Sequence, residues 1–381
     1  MVHQVCKLLV ISHSIRSNFH FHGSPLRYSI STLLFSTFQP QKSVSEPPIP
    51  VAQYLINHHQ FSPEAASKAS SNFPHLKNPQ KSDLMFSYLK ERGFSHSQLE
   101  EVVRKFPNVL VIRLKNIKSK IKIFQEMGFS PNDIADIISA DPEILKHSTD
   151  YRLRPSILAL NNIMGSHAAV CRLLKSSGFL MKYDLSKTMI PNIEFMKCCG
   201  ISFSQIISYV YHFPRVFLLK TKTIVNIMKR VDEMGFDRKS RLLLQAIRTL
   251  SSMTLENWKH KLNLFRELGF SEDDILLVFR RNPQVFCVSE KKIKEVADVL
   301  ITAGNIDISY VVKHPELLMY SLEKRIIPRL GVIEILEEKN ILKKRPSLST
   351  IVTISSKMFS ERYVLPHSNE LGVQYVTSWG S

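Results

Sequence analysis

The chain has 381 residues, of which 44% are hydrophobic, enough to build either two packed domains or one extended repeat structure. Lysine and arginine together number 51 against 33 acidic residues, and the formal net charge of +18 favours a polyanionic partner, either nucleic acid or an anionic membrane surface. Only 12 glycines are present, too few for a β protein with many tight turns, and no apolar stretch approaches the roughly 20 residues of a membrane-spanning helix.

The first 45 residues have the composition of a targeting sequence. They contain no aspartate or glutamate, nine serines and four basic residues, namely Lys7, Arg16, Arg27 and Lys42. An acid-free, serine-rich, basic segment is typical of a mitochondrial or chloroplast transit peptide, and a disordered tail is the alternative. Its arginines and aromatic residues favour the mitochondrion over the chloroplast. The rest of the chain keeps a net charge of +14, so targeting does not explain the basic character.

A short phrase recurs along the rest of the chain: any residue, proline, any residue, then two apolar residues. The intervals between its prolines are 35, 72, 69 and 32 residues, which correspond to one or two units of about 35 residues. Such a period is typical of repeat architectures. The prolines are Pro107, Pro142, Pro214, Pro283 and Pro315, and in the two skipped units Gly178 and Arg248 stand in the proline position.

A second phrase, glycine followed by an apolar residue and then serine or aspartate, follows the first by about 21 residues. A glycine that ends one helix can adopt the left-handed conformation, and the serine or aspartate after it can cap the next helix. The spacing of Ser95 and Gln98, and of Ser202 and Gln205, is that of a capping box. The glycines of this phrase are Gly93, Gly128, Gly200, Gly235 and Gly269.

The pattern of each unit therefore predicts two amphipathic helices joined by a bend at the proline. Leu99, Val102, Val103 and Phe106 form the apolar face of one first helix. In the second helices, the apolar positions lie eleven, seven and four residues before the glycine, as in the set around Trp258, which we predict to be in the core. Neither helix can bury its face alone, so stacked units must complete the core of an all-α solenoid. We place Tyr151, Tyr209 and Tyr211 in the core or in the wall of a groove.

The two phrases and their phase resemble the mitochondrial transcription termination factor (mTERF) family, and its plant branch in particular. The segments 51–57 (Val-Ala-Gln-Tyr-Leu-Ile-Asn) and 88–95 (Tyr-Leu-Lys-Glu-Arg-Gly-Phe-Ser) are similar to its opening segment and first full repeat. The resemblance covers roughly residues 51–350. It implies a half-doughnut superhelix of repeats, each with two α-helices and a short 3₁₀ turn at the proline, and a basic concave groove that holds nucleic acid in an organelle.

The sequence departs from the family pattern at two places. The units at Gly178 and Arg248 lack the proline, and from about Ser355 onward the expected acidic helical ending is replaced by a polar tail. We therefore predict four regions: a transit peptide (1–45), a linker and lead-in segment (46–60), a helical repeat domain (61–350) and a divergent C-terminal tail (351–381).

Basic residues recur at fixed distances before the repeat glycines. The thirteenth residue before the glycine is basic in five of six units, and the tenth and sixth are basic in several. Because these positions are three and four residues apart, they share one face of the second helix, and stacked faces would follow a phosphate backbone. An ordinary solvated helix face is the alternative. The predicted nucleic-acid-binding residues are Lys115, Lys118, Lys122, Arg152, Lys187, Lys222, Lys229, Lys259, Lys291, Lys294 and Arg325.

Catalytic and metal-binding patterns are missing from the sequence. It contains no phosphate-binding loop, dinucleotide-binding glycine motif, zinc-protease helix or nucleophile elbow, and its five cysteines form no Cys-x-x-Cys pair. We therefore predict a protein without catalytic activity, metal or cofactor. We expect a monomer, not associated with membranes, that binds double-stranded DNA or structured or intron RNA and works with organellar transcription or splicing proteins. A solenoid that serves as a protein–protein scaffold is the alternative.

Overall fold

The computed structural model describes residues 49–72, 74–304 and 306–371, so the predicted transit peptide lies outside the described residues. The described chain begins with a two-residue antiparallel pair, β1 (Ile49–Pro50) and β2 (His75–Leu76). Between and after these strands lie α1 (Val51–His59), α2 (Pro63–Ser70) and α3 (Pro79–Glu91). Buried Tyr54 on α1 donates a 2.6 Å hydrogen bond to Asp83 on α3, and this contact ties the lead-in segment to the first unit.

The repeat units follow in order, with even-numbered first helices and odd-numbered second helices. All of them are α-helices, as the sequence predicts. They are α4 (His96–Lys105), α5 (Leu114–Glu126), α6 (Pro131–Ala140), α7 (Arg154–Met164), α8 (His167–Ser177), α9 (Met189–Cys198), α10 (Phe203–His212), α11 (Thr221–Glu233), α12 (Arg241–Ser251), α13 (Leu255–Glu267), α14 (Glu272–Arg281), α15 (Glu290–Ala297), α16 (Ile308–Lys313) and α17 (Ile327–Glu338).

A short 3₁₀ helix begins at each of the five repeat prolines, which confirms the predicted bends. Proline has no N–H to continue the preceding helix, and its fixed φ suits the first position of a new turn. A sixth turn begins at Gly178. The 3₁₀ helices span Pro107–Val111, Pro142–Lys146, Gly178–Lys182, Pro214–Leu218, Pro283–Cys287 and Pro315–Met319.

Successive units stack into one continuous core. First helices contact each other across unit boundaries: α4 contacts α6, and α14 contacts α16. The predicted apolar faces are buried, including Ile117, Ile121 and Phe124 on α5. Fully burying each such side chain stabilises the fold by about 1.5–3 kcal/mol, so the stacked units form the solenoid that neither helix could form alone.

The glycine phrase ends α3, α5, α9, α11 and α13 as predicted. Gly93 has φ +91°, and the next N–H, that of Phe94, donates to the carbonyl of Leu89 at 3.1 Å. This pairing satisfies a carbonyl that the helix end would otherwise leave free. Ser95 then forms the predicted capping box with Gln98, whereas the Gln205 side chain bonds to Lys239 O and leaves the box at Ser202 half made. The same left-handed conformation occurs at Gly128, Gly165, Gly200, Gly235 and Gly269.

Side-chain hydrogen bonds that the sequence does not predict also link neighbouring units. A donor on a second helix reaches a carbonyl at the end of the next bend, about 27 residues later. Ser82 donates to Leu110 O at 3.0 Å, and Asn192 donates to Leu219 O at 2.7 Å. These carbonyls end a 3₁₀ turn and lack a partner within it, so the bonds both satisfy them and orient each unit on the next. The same arrangement recurs from Ser156 to Tyr183 O, from Lys261 to Val288 O and from Lys292 to Met319 O.

The two units without a repeat proline differ from each other. The Gly178 unit keeps its 3₁₀ turn, and a Cβ at Gly178 would lie only 2.5 Å from Cβ of Asp141, so glycine permits a close approach between bends. The Arg248 unit has no 3₁₀ turn. There α12 continues to Ser251, and the hydroxyls of Ser251 and Ser252 bond back to the carbonyls of Arg248 and Thr249 before α13 begins.

The C-terminal part of the described chain packs on the solenoid. The predicted boundary at residue 350 falls inside α18 (Leu348–Thr353), which is followed by α19 (Ser356–Phe359) and, beyond a π turn and a 3₁₀ turn, by α20 (Ser368–Leu371). Phe359 and Val364 are completely buried. Residues 351–371 therefore extend the core, because their apolar side chains cover the face that the last unit would otherwise expose.

Among the described residues, no single helix is long and apolar enough to cross a membrane. Two consecutive segments, Thr149–Met164 and His167–Lys182, reach the required length and hydropathy only together, and the chain bends by 118° between them.

Candidate nucleic-acid interface

Eight of the eleven predicted binding residues lie exposed on second helices. The three on α5, Lys115, Lys118 and Lys122, are three and four residues apart and so share one face of the helix. We call the set of exposed lysines at these positions the lysine face. Its other members are Lys222 and Lys229 on α11, Lys259 on α13, and Lys291 and Lys294 on α15.

Several lysines of this face lie close to a carboxylate on the same helix. Nζ of Lys122 is 3.7 Å from Glu126, and Nζ of Lys291 is 3.7 Å from Glu295. Both lysine side chains are at least 74% exposed. Ion pairs this exposed contribute about 0–1 kcal/mol, so these lysines can exchange their carboxylate for a phosphate at little cost.

Arg152 and Lys187 are arranged differently. Arg152 is half-buried, and Lys187 lies 3.3 Å from the carboxylate of Asp184. The pKa of Asp184 lies below its usual value, chiefly because Ser186 donates a hydrogen bond to it, with smaller contributions from Lys187 and Arg152. These two cations thus share a carboxylate at the bend before α9.

Arg325 lies off the lysine face. Arg325 stands six residues before Gly331, which the prediction took for a repeat glycine, but Gly331 lies inside α17. That helix ends at Glu338, and Asn340, two residues later, takes the left-handed φ of +56°. The Arg325 guanidinium donates to the carbonyls of Val352 at 2.8 Å and Ile354 at 2.6 Å. Its donors are used to cap α18, so we leave Arg325 out of the interface.

Several first helices carry charges where the helix dipole favours them. Asp133 stands in the first turn of α6, and Arg104 and Lys105 stand in the last turn of α4. A serine caps the N-terminus of each first helix from α4 to α14. Charges arranged in this way stabilise a helix by about 0.3–1 kcal/mol each.

Helices α5 and α11 begin with basic residues instead. Neither has an acidic residue in its first turn, and each ends on glutamate, Glu126 and Glu233. Lys115 and Lys222 occupy the second position of these helices, where a cation opposes the dipole. Helix stability does not account for that placement. An anion bound at the helix N-terminus would be attracted by both the lysine and the dipole.

The N-cap residues of the same two helices are also basic. Arg113 precedes α5 and Lys220 precedes α11; both are exposed, and neither side chain accepts a hydrogen bond from the helix. By contrast, Thr254 caps α13 and Ser289 caps α15. The first N–H groups of α5 and α11 therefore have no side-chain acceptor within the described chain. We call Arg113, Lys115 and the N-terminus of α5, with Lys220, Lys222 and the N-terminus of α11, the paired N-terminal sites.

No ion pair joins these four cations to a carboxylate within the described part of the chain. Arg113 and Lys220 were not predicted, because the start of the second helix was unknown and the count back from the glycine stopped at Lys115 and Lys222. The signal was present as a basic-x-basic pair after each bend, Arg113-Leu114-Lys115 and Lys220-Thr221-Lys222.

The repeat pattern and the fold agree with what comparison with known proteins finds. The mTERF family model matches residues 54–360, most of the chain. The chain belongs to the mTERF family. The resemblance noted from the two repeated phrases is thereby confirmed.

Two mTERF relatives from Arabidopsis thaliana are similar to this chain. One is the chloroplastic transcription termination factor MTERF8, 20% identical over 68% of this chain and 44% of its own length. The other is the mitochondrial transcription termination factor MTERF15, 22% identical over 76% of this chain and 56% of its own length. The chain thus spans about half the length of these relatives. Both are named as transcription termination factors and not as enzymes, in agreement with the expectation from the sequence.

The aromatic residues of this mTERF chain only partly follow the sequence prediction. Trp258 is 7% exposed and packs 5.0 Å from the Phe286 ring, which confirms it as a core residue. Tyr151 is 89% exposed, so the core is excluded for it. Tyr88 lies beside the lysine face, because Nζ of Lys118 is 5.1 Å from its ring centre and forms a cation–π contact with it.

Proposed function

We propose that this mTERF protein binds a nucleic-acid duplex by its phosphates and regulates gene expression in an organelle. The observation that carries the proposal is the basic charge at the N-termini of α5 and α11, which are uncapped, oppose helix stability and favour an anion. The exposed lysine face of α5, α11, α13 and α15 extends the same charge along the solenoid.

The two N-terminal sites supply the strongest contacts in this proposal. Each offers a cation at the N-cap, a second cation two residues later and free backbone N–H groups. Phosphate contacts of this kind fix the position of a duplex without reading its sequence. The remaining lysines contribute weaker attraction, because each offers a single exposed cation without a helix N-terminus free to bind the same phosphate.

Two independent observations support a location in an organelle. The acid-free segment 1–45 has the composition of a transit peptide, and the two relatives are named as chloroplastic and mitochondrial. We favour the mitochondrion, on the arginines and aromatic residues of that segment. Import of a fluorescent fusion of residues 1–50 into isolated mitochondria and chloroplasts tests this choice, and uptake by neither would contradict the transit peptide.

Binding itself is tested with the full chain, a labelled DNA duplex and a labelled structured RNA in fluorescence anisotropy at increasing salt. Duplex binding that weakens steeply with salt supports the proposal. If neither nucleic acid binds at low salt, the nucleic-acid function is wrong and the scaffold alternative takes its place. Crosslinking in the organelle, followed by sequencing of the bound strands, then distinguishes a DNA target from an RNA target.

A further inference from the structure

A cavity of about 480 Å³ opens where the repeat is interrupted, at the bend after α10. Its wall includes two arginines, two phenylalanine rings and His212, and none of its lining residues belongs to the lysine face or to the paired N-terminal sites. The residues that carry the argument are Phe179, Phe213, Arg215, Leu219 and Arg248.

The cavity follows from the missing 3₁₀ turn of the Arg248 unit. In other units, the 3₁₀ turn of one bend packs against the 3₁₀ turn of the next. The turn Pro142–Lys146 contacts Gly178–Lys182, and the turn Pro283–Cys287 contacts Pro315–Met319. The turn Pro214–Leu218 has no 3₁₀ turn of the next unit beside it, because α12 continues as an α-helix to Ser251. The volume that a bend would fill is left open to solvent.

Each arginine of the cavity is held against a ring. The guanidinium carbon of Arg248 lies 3.7 Å from the centre of the Phe213 ring, and that of Arg215 lies 4.2 Å from the centre of the Phe179 ring. Contact with an aromatic face immobilises a guanidinium while leaving N–H groups at its edge. An arginine fixed in this way loses little conformational entropy when it binds a ligand.

The charge of the cavity is positive and not neutralised locally. No aspartate or glutamate is among the residues that line it, and neither arginine forms an ion pair with a carboxylate of the described chain. Two guanidinium groups match the oxygen atoms of a phosphate, which they can bind in bidentate fashion. The rest of the wall, with Pro214, Val216 and Leu219, is largely apolar and suits a flat ring.

We propose that this cavity binds one nucleotide, with its phosphate on Arg215 and Arg248 and its base against the apolar wall. The volume lies in the range of small-ligand sites. The nucleotide could be free in solution or be the 5′-phosphorylated end of a nucleic-acid strand, since both present the same chemistry. This site does not depend on duplex binding at the N-termini of α5 and α11.

Isothermal titration calorimetry of the full chain with adenosine 5′-monophosphate and with adenosine tests the proposal. We expect saturable binding of one nucleotide per chain, and adenosine should bind at least about tenfold more weakly because it lacks the charge-assisted hydrogen bonds. Arg215→Gln and Arg248→Gln should each weaken nucleotide binding about tenfold. Arg248→Lys should recover part of the loss, and Arg362→Gln, an exposed arginine outside the cavity, should change nothing.

Arg215 is exposed, so Arg215→Gln should fold normally even if Arg248→Gln does not. Competition with a short single-stranded oligonucleotide distinguishes the two sources of nucleotide. Displacement of the mononucleotide only by the 5′-phosphorylated form assigns the site to a strand end, and no displacement by either form assigns it to a free nucleotide. Equal binding of nucleotide and adenosine, absence of saturable binding, or unchanged binding by Arg215→Gln would overturn the proposal.

Discussion

Lys220 immediately precedes α11 and Lys222 is the second residue of that helix, so two cations flank a helix N-terminus at which no side chain accepts a hydrogen bond. Arg113 and Lys115 repeat this arrangement at α5, three units earlier. A helix start built for stability would carry serine, threonine, aspartate or asparagine at the N-cap. The first helices α4 to α14 have serine caps, whereas the N-termini of α5 and α11 have none. These uncapped, basic N-termini are the physical basis of the proposed phosphate contacts.

Replacing Lys220 with aspartate should change stability and binding in opposite directions. Aspartate can cap α11 and complements its dipole, so the free energy of unfolding should rise by about 1 kcal/mol. Affinity for a DNA duplex should fall at the same time, because a phosphate contact becomes a repulsion. Thermal unfolding and fluorescence anisotropy measure the two effects.

Lys220→Asn serves as the matched control for that variant. Asparagine caps the helix about as well as aspartate but removes one charge instead of reversing it. It should stabilise the protein similarly and weaken binding less. A gain in stability with no loss of affinity in either variant would exclude Lys220 from the interface.

Replacing Arg329 with methionine should strongly destabilise the C-terminal end of the solenoid. The Arg329 side chain is completely buried and donates to the carbonyls of Ile351 and Ile354, both at 2.7 Å. Methionine has similar bulk but no donor, so the buried carbonyl of Ile351 loses its partner and the partly buried carbonyl of Ile354 keeps only Arg325, at a cost of about 3 kcal/mol. Arg362→Met, at an exposed arginine, should cost little. Equal unfolding midpoints in urea for the two variants would contradict the proposed role of Arg329.

The carboxylate of Glu143 should make stability depend on acid pH. Hydrogen bonds from Lys146 and then Lys182, on the following bend, lower the pKa of Glu143 to about 2. Because the folded pKa lies below the unfolded value, the stabilisation is complete above about pH 4.5 and is lost as pH falls towards 2. The side chain is 37% exposed, so we expect only about 1 kcal/mol after solvent screening.

The corresponding measurement compares the unfolding free energy of Glu143→Gln with that of the unchanged chain between pH 7 and pH 3. The difference should be largest at neutral pH and shrink as the pH falls. Glu361→Gln, whose carboxylate is 51% exposed and 3.8 Å from Lys357, should show almost no difference at any pH. A difference for Glu143→Gln that is constant with pH would mean that the ion pairs contribute nothing.

The architecture could be predicted from the sequence because each recurring element has a local cause. Proline at a bend and glycine at a helix end restrict the backbone wherever they occur, and buried residues such as Ile117 repeat with the helical period. The bend at Gly178 was not predictable, because it depends on the close approach of Asp141 from another unit. Nor was the buried Arg329, whose partners lie more than twenty residues along the chain.

The candidate site was predicted in outline and not in detail. Counting back from the glycine found Lys115 and Lys222 but not Arg113 and Lys220, since the helix start was unknown. The same count misplaced Arg325, because the last unit ends on Asn340 in place of glycine. The cavity beside Arg248 required the packing of three units and has no signature in any one of them.

The salt dependence of duplex binding tests the central claim most directly. It compares the full chain with a variant carrying Arg113→Gln, Lys115→Gln, Lys220→Gln and Lys222→Gln, in fluorescence anisotropy over a range of potassium chloride concentrations. The slope of log affinity against log salt should become shallower by about 0.9 for each phosphate contact removed, a total of roughly 3 to 4. A variant that folds normally and binds with the unchanged affinity and slope would contradict the account.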